Sequence, residues 1–135
     1  MVRRGVARVS ISIPPDLLKE LDSMLEKVGY DRSRAVQIAI RNFLTEYRWV
    51  HEQGEVAGAL LLLYDHKRRG VEESLTDIQH EHGSVITSTM HIHLDEDNCL
   101  EIVAVRGSSR SIKELAEKMM REKGVKQLKL AILAS

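Results

Sequence analysis

The chain has 135 residues, enough for one ordinary domain or two small ones. Hydrophobic residues make up 43% and charged residues 30%, with twenty Lys/Arg against twenty Asp/Glu, which fits a soluble globular protein. A single cysteine excludes an internal disulfide framework, and the longest apolar run, Val56 to Tyr64, is too short to span a bilayer.

The start "MVRRGVARVS" lacks the long apolar core of a secretory signal, so the expected compartment is the cytoplasm. The charges are unevenly spread. Residues 1–51 carry nine Lys/Arg against six Asp/Glu, a net of +3, and residues 52–135 carry eleven against fourteen, a net of −3. A weakly basic front half is compatible with a polyanion partner but does not establish one.

The first element is "RVSISI", which alternates strictly. Arg8, Ser10 and Ser12 fall on one face of a strand, and Val9, Ile11 and Ile13 on the other. Pro14 and Pro15 end it, because neither can donate to a ladder. Pro15 suits the first turn of a helix, with Asp16 near its positive end. Leu17, Leu18, Leu21, Leu25 and Val28 recur at helical spacing up to Gly29. Ser33 is a candidate cap for a second helix, whose stripe is Val36, Ala39, Ile40, Phe43, Leu44 and Tyr47.

This strand has no hairpin partner nearby, and two short helices bury little. An antiparallel pairing of strands from two chains resolves both problems. The result is a polar two-stranded ribbon of a width that fits the major groove of DNA. An ordinary strand with a solvated polar face is the plainer alternative. The order of elements and the "PPDLL" junction resemble the ribbon–helix–helix DNA-binding family. That resemblance implies that Arg8, Ser10 and Ser12 contact bases, and that Ser33 and Arg34 lie near phosphate at the start of the second helix.

"RWVHEQGE", residues 48–55, is the expected junction between an N-terminal domain, 1–51, and a C-terminal one, 52–135. The second half reads as a strand ("GEVAGALLLLYD"), then a helix with Val71, Leu75 and Ile78 on one side. Two strands follow, joined by a turn at Asp95–Asn98. A helix capped by Ser111 and stopped by Gly124 leads to a last strand, "VKQLKLAILA". The fold class is therefore α+β, with a β-α-β-β-α-β, ferredoxin-like back half.

Chemistry concentrates at "HIHLDEDNC", residues 91–99. The i, i+2 spacing sets His91 and His93 side by side, and the hairpin returns Cys99 toward them. Two imidazoles and one thiolate converging on one hairpin favour a metal site over incidental surface histidines. The preceding helix ends "QHEH", which supplies His80 or His82 as a fourth ligand. Zinc would take such donors tetrahedrally. A copper site of the His₂Cys kind wants an axial Met, and Met90 faces the wrong way. Square-planar coordination suits Ni(II) or Cu(II).

The ribbon–helix–helix front, the β-α-β-β-α-β back half and the run "QHEH…HIHLDEDNCLE" together resemble the nickel-responsive transcriptional regulators, the NikR family. The resemblance covers nearly the whole chain. It implies Ni(2+), one per subunit, held by His91, His93 and Cys99 of one subunit and His80 of a neighbour. It also implies an ACT-like regulatory domain, a homotetramer built as a dimer of dimers, and operator DNA as partner. Arg68 and Arg69 match basic positions that touch the DNA backbone in the family. At one point the chain departs from the pattern. Arg34 and Ile38 stand where some members carry acidic residues that hold a cation near the DNA.

The resulting expectation is a repressor of nickel-uptake genes, not an enzyme. Two rivals remain at this stage. One is a zinc metalloenzyme using Glu101 or Asp97 as acid or base, and the other is an amino-acid-responsive repressor with an ACT-like effector domain.

Overall fold

The computed structural model describes residues 5–133 of the chain. The first four residues of the N-terminal "MVRRGVA", a candidate basic arm, lie outside the described residues, as do 134 and 135. Internal packing divides the chain into two units, with the boundary between Ile40 and Arg41.

In the first unit, residues 6–14 form no regular secondary structure. The alternating stretch from Arg8 to Ile13 therefore is not a strand in the single chain. The physical reason is that a strand is defined by its ladder, and among the described residues no other segment offers one. Helix α1 spans Pro15–Val28, with Pro15 at its start and Asp16 in its first turn. It ends on Gly29, whose φ of 73° is the left-handed conformation that only glycine adopts at no steric penalty. Helix α2, Arg32–Val50, runs unbroken past the unit boundary. Its start is capped by Asp31, whose carboxylate accepts from the backbone N–H of Arg34 at 2.8 Å. Asp31, not Ser33, is the cap, because the helix starts at Arg32 and a capping side chain belongs to the residue just before the first helical one. Arg32 also makes a two-pronged contact with Asp22, and that guanidinium holds the exposed carboxyl below its usual range.

The second unit contains the sheet. Strand β1 is Glu55–Asp65, followed by α3 (Val71–Glu81), β2 (Ile86–His93), β3 (Asn98–Ser108), α4 (Ser109–Arg121) and β4 (Val125–Leu133). The strand order is β2-β3-β1-β4, and every neighbouring pair is antiparallel. This is the expected ferredoxin-like arrangement. Helix α4 begins one turn earlier than Ser111 implied. Ser108 is its cap and accepts from the backbone N–H of Ser111 at 3.2 Å. Three serines, Ser108, Ser109 and Ser111, left the choice to backbone geometry, not composition.

The core lies between one face of the sheet and the two helices. Leu60, Leu62 and Tyr64 of β1 and Val103 and Val105 of β3 point into it. They meet Val71 and Leu75 of α3 and Ile112, Leu115 and Met119 of α4, all essentially inaccessible to water. Each such aliphatic side chain contributes roughly 1.5–3 kcal/mol relative to exposure. The period of two then dictates that Cys99 and Glu101 share this buried face.

Close approach between β1 and β4 depends on Gly58. A Cβ there would lie 2.1 Å from the backbone oxygen of Ala131. Backbone cannot yield as a side-chain tip can, so Gly58→Ala should push β4 outward and cost about 1–3 kcal/mol. A urea midpoint unchanged by Gly58→Ala would show that β4 is not held at this distance.

Candidate metal centre

The turn between β2 and β3 is organised by Asp95. Its Oδ1 accepts the backbone N–H groups of Asp97 at 2.9 Å and Asn98 at 2.8 Å. The Asn98 side-chain amide donates to both carboxylate oxygens at 3.1 Å. These bonds, that of the Asn98 amide first, hold the Asp95 carboxyl below its usual range. A turn fixed in this way fixes the register. His93 stands opposite Cys99, and His91 stands opposite Glu101. Cys99 Sγ lies 3.4 Å from His93 Nδ1.

A third donor comes from β1. Tyr64 is the register partner of Cys99 across the β1–β3 ladder, so β1 leaves the sheet beside the hairpin. His66 follows immediately, and its backbone N–H donates to the Asp97 carbonyl at 3.1 Å. Donor atoms of His66, His93 and Cys99 all lie within 4.8 Å of one another. The His66 and His93 rings meet edge to face, with centroids 5.2 Å apart. His66 Nε2 is buried and has no hydrogen-bond partner. Sequence reasoning missed His66. Nothing in the spacing of "YDHKRRG" relates it to a hairpin more than twenty residues later. The available signal was the ferredoxin-like order itself, which sets the exit of the first strand beside that hairpin.

His91 sits one same-face position further along β2. Its Nδ1 is 3.3 Å from the Tyr64 hydroxyl, and its Nε2 is 3.8 Å from Glu101 Oε1. Glu101 is fully buried. Gln79 of α3 donates its amide to Glu101 Oε1, and Thr89 donates to Gln79 Oε1 at 3.3 Å. The second carboxylate oxygen, Oε2, has no protein partner. His80 is exposed in the last turn of α3 and stands outside the three-donor cluster. The other candidate from "QHEH", His82, directs Nδ1 to the carbonyl of Ile78 at 2.9 Å. Of the four expected ligands, one chain therefore brings His93 and Cys99 into contact, with His91 beside them and His80 apart.

Burial raises the Cys99 thiol above its usual value, and a hydrogen bond from Tyr64 only partly offsets this. Burial likewise raises the Tyr64 phenol, with neighbouring Cys99 and Glu101 adding to the effect.

The expected DNA-contacting residues are on the surface. Arg8, Ser10 and Ser12 are exposed, as are Ser33 and Arg34 in the first turn of α2. The Arg34 guanidinium lies over the Tyr30 ring, 5.2 Å from its centroid. Arg68 and Arg69 are exposed between β1 and α3, and they line one shallow depression with Arg121 and Lys123.

Two imidazoles and a thiol at the β2–β3 turn end of a ferredoxin-like sheet define a metal-binding α+β domain, whose donor set suits a late first-row cation. Comparison with known proteins agrees. Residues 57–133 match the family model described as the NikR C terminal nickel binding domain. A protein of Methanocella arvoryzae described as a nickel-responsive regulator is 46% identical over 129 residues, covering 94% of this chain and 92% of the relative. Another so described, from Methanothrix thermoacetophila, is 46% identical over 131 residues, covering 96% and 94%. Among solved structures, an uncharacterized protein of Thermotoga maritima superposes on 60% of this chain and 100% of its own. Its TM-score is 0.55 and its identity 15%, a likeness of fold alone. The chain belongs to the NikR family of nickel-responsive regulators.

A cation bound at Cys99 must displace its thiol proton, so affinity should fall by about tenfold per pH unit for each proton released. In the metal-free chain the sign is fixed by the raised thiol. The folded state keeps that proton more tightly than the unfolded state does. The corresponding stability is present below the unfolded thiol's value and lost as pH rises toward the folded one. Metal titrations across neutral pH should show a steeper slope for the native protein than for Cys99→Ala. Equal slopes would mean that the thiol keeps its proton.

Proposed function

We propose that this protein is a nickel-responsive DNA-binding transcriptional regulator, a cytoplasmic repressor of nickel-uptake genes that works as a homotetramer, a dimer of dimers. Residues 1–51 form its ribbon–helix–helix domain, and residues 52–135 its ACT-like metal-binding and tetramerisation domain. The observation that carries the reading is the hairpin geometry: Cys99 Sγ lies 3.4 Å from His93 Nδ1, with His91 next on the same face.

The nickel ligands in this reading are His91, His93 and Cys99 of one subunit and His80 of another, one ion per subunit. The exposure of His80 outside the cluster supports a ligand that is donated to a neighbour. Nickel would be held by these imidazole and thiolate donors, and a ligand set drawn from two subunits would link them. The chain's own residues connect this site to α3. Gln79, adjacent to His80, donates to Glu101, which stands opposite His91. Gln79 thus links the helix that carries His80 to the strand that stands opposite His91.

The DNA-binding half of the proposal is supported by what a single chain leaves uncovered. Neither α1 nor α2 has a buried residue, although both carry an apolar stripe. Val9 and Ile11 are 76% and 58% exposed. Such surface is too apolar to remain in water, and pairing of two chains through residues 8–13 would cover it. That pairing would present Arg8, Ser10 and Ser12 to base edges, with Ser33, Arg34, Arg68 and Arg69 toward phosphate. Metal then favours DNA binding by stabilising the DNA-competent arrangement.

Nickel titration of the purified protein, repeated with DNA selected from a random pool in the presence of nickel, tests the whole reading. A thiolate-to-nickel charge-transfer band should appear, vanish in Cys99→Ala, and accompany a rise in DNA affinity. Nickel binding with no effect on DNA affinity would sink the regulatory part. Arg8→Ala should weaken specific binding by about 1–3 kcal/mol, the usual loss for one arginine–guanine contact. Unchanged binding by Arg8→Ala would remove the ribbon as the reading element. Mixing His80→Ala subunits with Cys99→Ala subunits should restore some square-planar sites that neither homomer forms. No recovery, with mixing verified by mass spectrometry, would assign all four ligands to one chain.

A further inference from the structure

Residues 41–50 of α2 and the segment that follows belong to the second unit, where α4 holds them. Lys113, in the second turn of α4, donates from Nζ to the Trp49 carbonyl, and its ammonium lies 4.9 Å from the centre of the Trp49 ring. Glu52 follows the end of α2, with its carboxylate 3.8 Å from the same ammonium and 3.4 Å from Arg110 Nε. We propose that Trp49, Glu52, Arg110 and Lys113 form a clasp that fastens the end of α2 to the start of α4, so that the metal-binding unit carries the helix leading to the DNA-contacting residues. The proposal rests on the reading of this protein as a metal-responsive DNA-binding regulator, and it adds the residues that position α2 for that response.

Three observations support it. The first is backbone conformation. Glu52 has a φ of 52°, the one positive value at a non-glycine residue among those described. Its N–H donates to the Trp49 carbonyl at 3.3 Å, and that of Gln53 donates to the Arg48 carbonyl at 2.9 Å, the pair of bonds that closes a helix on a left-handed residue. Glycine is usual there, as Gly29 is at the end of α1. A glutamate forgoes glycine's freedom from steric penalty, and what it brings instead is a carboxylate. The second is charge balance. The first turn of α4 carries Arg110 and no acidic residue, so its counter-charge comes from Glu52. The last carbonyls of α2 carry partial negative charge, and the Lys113 ammonium meets one of them. The third is packing. Trp49 is partly buried against the core of the second unit, and the Lys113 side chain is only 25% exposed.

The clasp lies at one end of the β1–β3 pair, and the metal donors lie at the other. Glu55, just after Glu52, is the register partner of Ser108, the cap of α4. At the far end of β1, Tyr64 stands opposite Cys99. The 11 residues of β1 rise about 3.3 Å each, which sets the two ends roughly 30 Å apart. From the clasp, α2 runs back across the unit boundary without a break. A helix fastened at its end turns with the body that holds it, whereas a helix on a loose tether does not. The four residues are outside the proposed nickel ligands and the proposed DNA contacts, so they are positioning residues. Their ion pairs are partly open to solvent, so added salt weakens them.

Trp49 is the only tryptophan of the chain, so its fluorescence reads the clasp directly. The test uses the full chain, first without metal or DNA. In the native protein, acrylamide quenching of Trp49 should rise as sodium chloride is added. In Glu52→Gly and Lys113→Met it should already be high at low salt and lose its salt response. Lys113→Arg keeps the cation and should restore protection. Glu52→Gly is the sharper variant. Were Glu52 only a strained helix end, glycine would relax it and leave Trp49 as well protected as before, or better. The same proteins are then titrated with nickel, alone and with DNA selected in its presence. The nickel band and nickel affinity should be kept. The ratio of DNA affinity with nickel to that without should fall toward one.

Trp49 protection unchanged or increased in Glu52→Gly overturns the proposal, as does a Lys113→Met protein that matches the native one. A loosened Trp49 with the full nickel response overturns it too, because the positioning role would be gone. Loss of the nickel band in these variants also overturns it, by placing their effect at the metal site. A native protein whose DNA affinity ignores nickel would remove the regulatory reading instead, and the quenching results would still decide the clasp.

Discussion

The register between β1 and β3 is the constraint on which the rest depends. It sets Tyr64 opposite Cys99, and the β2–β3 hairpin sets Cys99 opposite His93. A slip of one residue would turn Cys99 and Glu101 to the other face and Leu60, Leu62 and Tyr64 out of the core. Core and metal site are therefore fixed by the same pairing. The buried leucines hold the register that brings the soft donors together, so the site needs no separate device to assemble it.

Glu101 is the feature least expected of a small core. It is fully buried, with one oxygen bonded to Gln79 and the other without a protein partner. Burying a carboxyl in this way is unfavourable unless its environment is functional. Its neighbours supply the reason. Glu101 stands opposite His91 and touches the residue beside His80, so it joins the strand that carries histidines to the helix that precedes it. Tyr64 extends the same network from β1 to His91. Thr89 of β2 and Glu101 of β3 both bond the Gln79 amide group of α3, so the hairpin strands and the helix are joined by hydrogen bonds.

The N-terminal unit obeys the opposite logic. Its helices have the apolar stripes of folded elements and bury nothing in one chain. Its alternating segment has no ladder. Both are what the proposed pairing with a second copy would satisfy. The C-terminal unit, by contrast, carries a buried core of its own.

Local rules written in the sequence determined much of this protein. Helical spacing located α1 and α2, Pro15 and Gly29 bounded the first of them, a continuous apolar run located β1, and alternation set the faces of β2. The i, i+2 histidines and the short acidic turn placed His91, His93 and Cys99 on one hairpin, because a hairpin is itself local. Caps were less legible. Asp31 replaced Ser33 and Ser108 replaced Ser111, since adjacent residues of equal capping chemistry are separated only by backbone geometry. Three things came only from the tertiary structure. His66 joins the cluster because β1 lies beside β3, a pairing between segments far apart in sequence. Glu101 is buried because α3 covers that face of the sheet and offers Gln79. Residues 8–13 have no ladder in the single chain, because alternation in a sequence marks the faces of a strand but does not supply its hydrogen-bond partners.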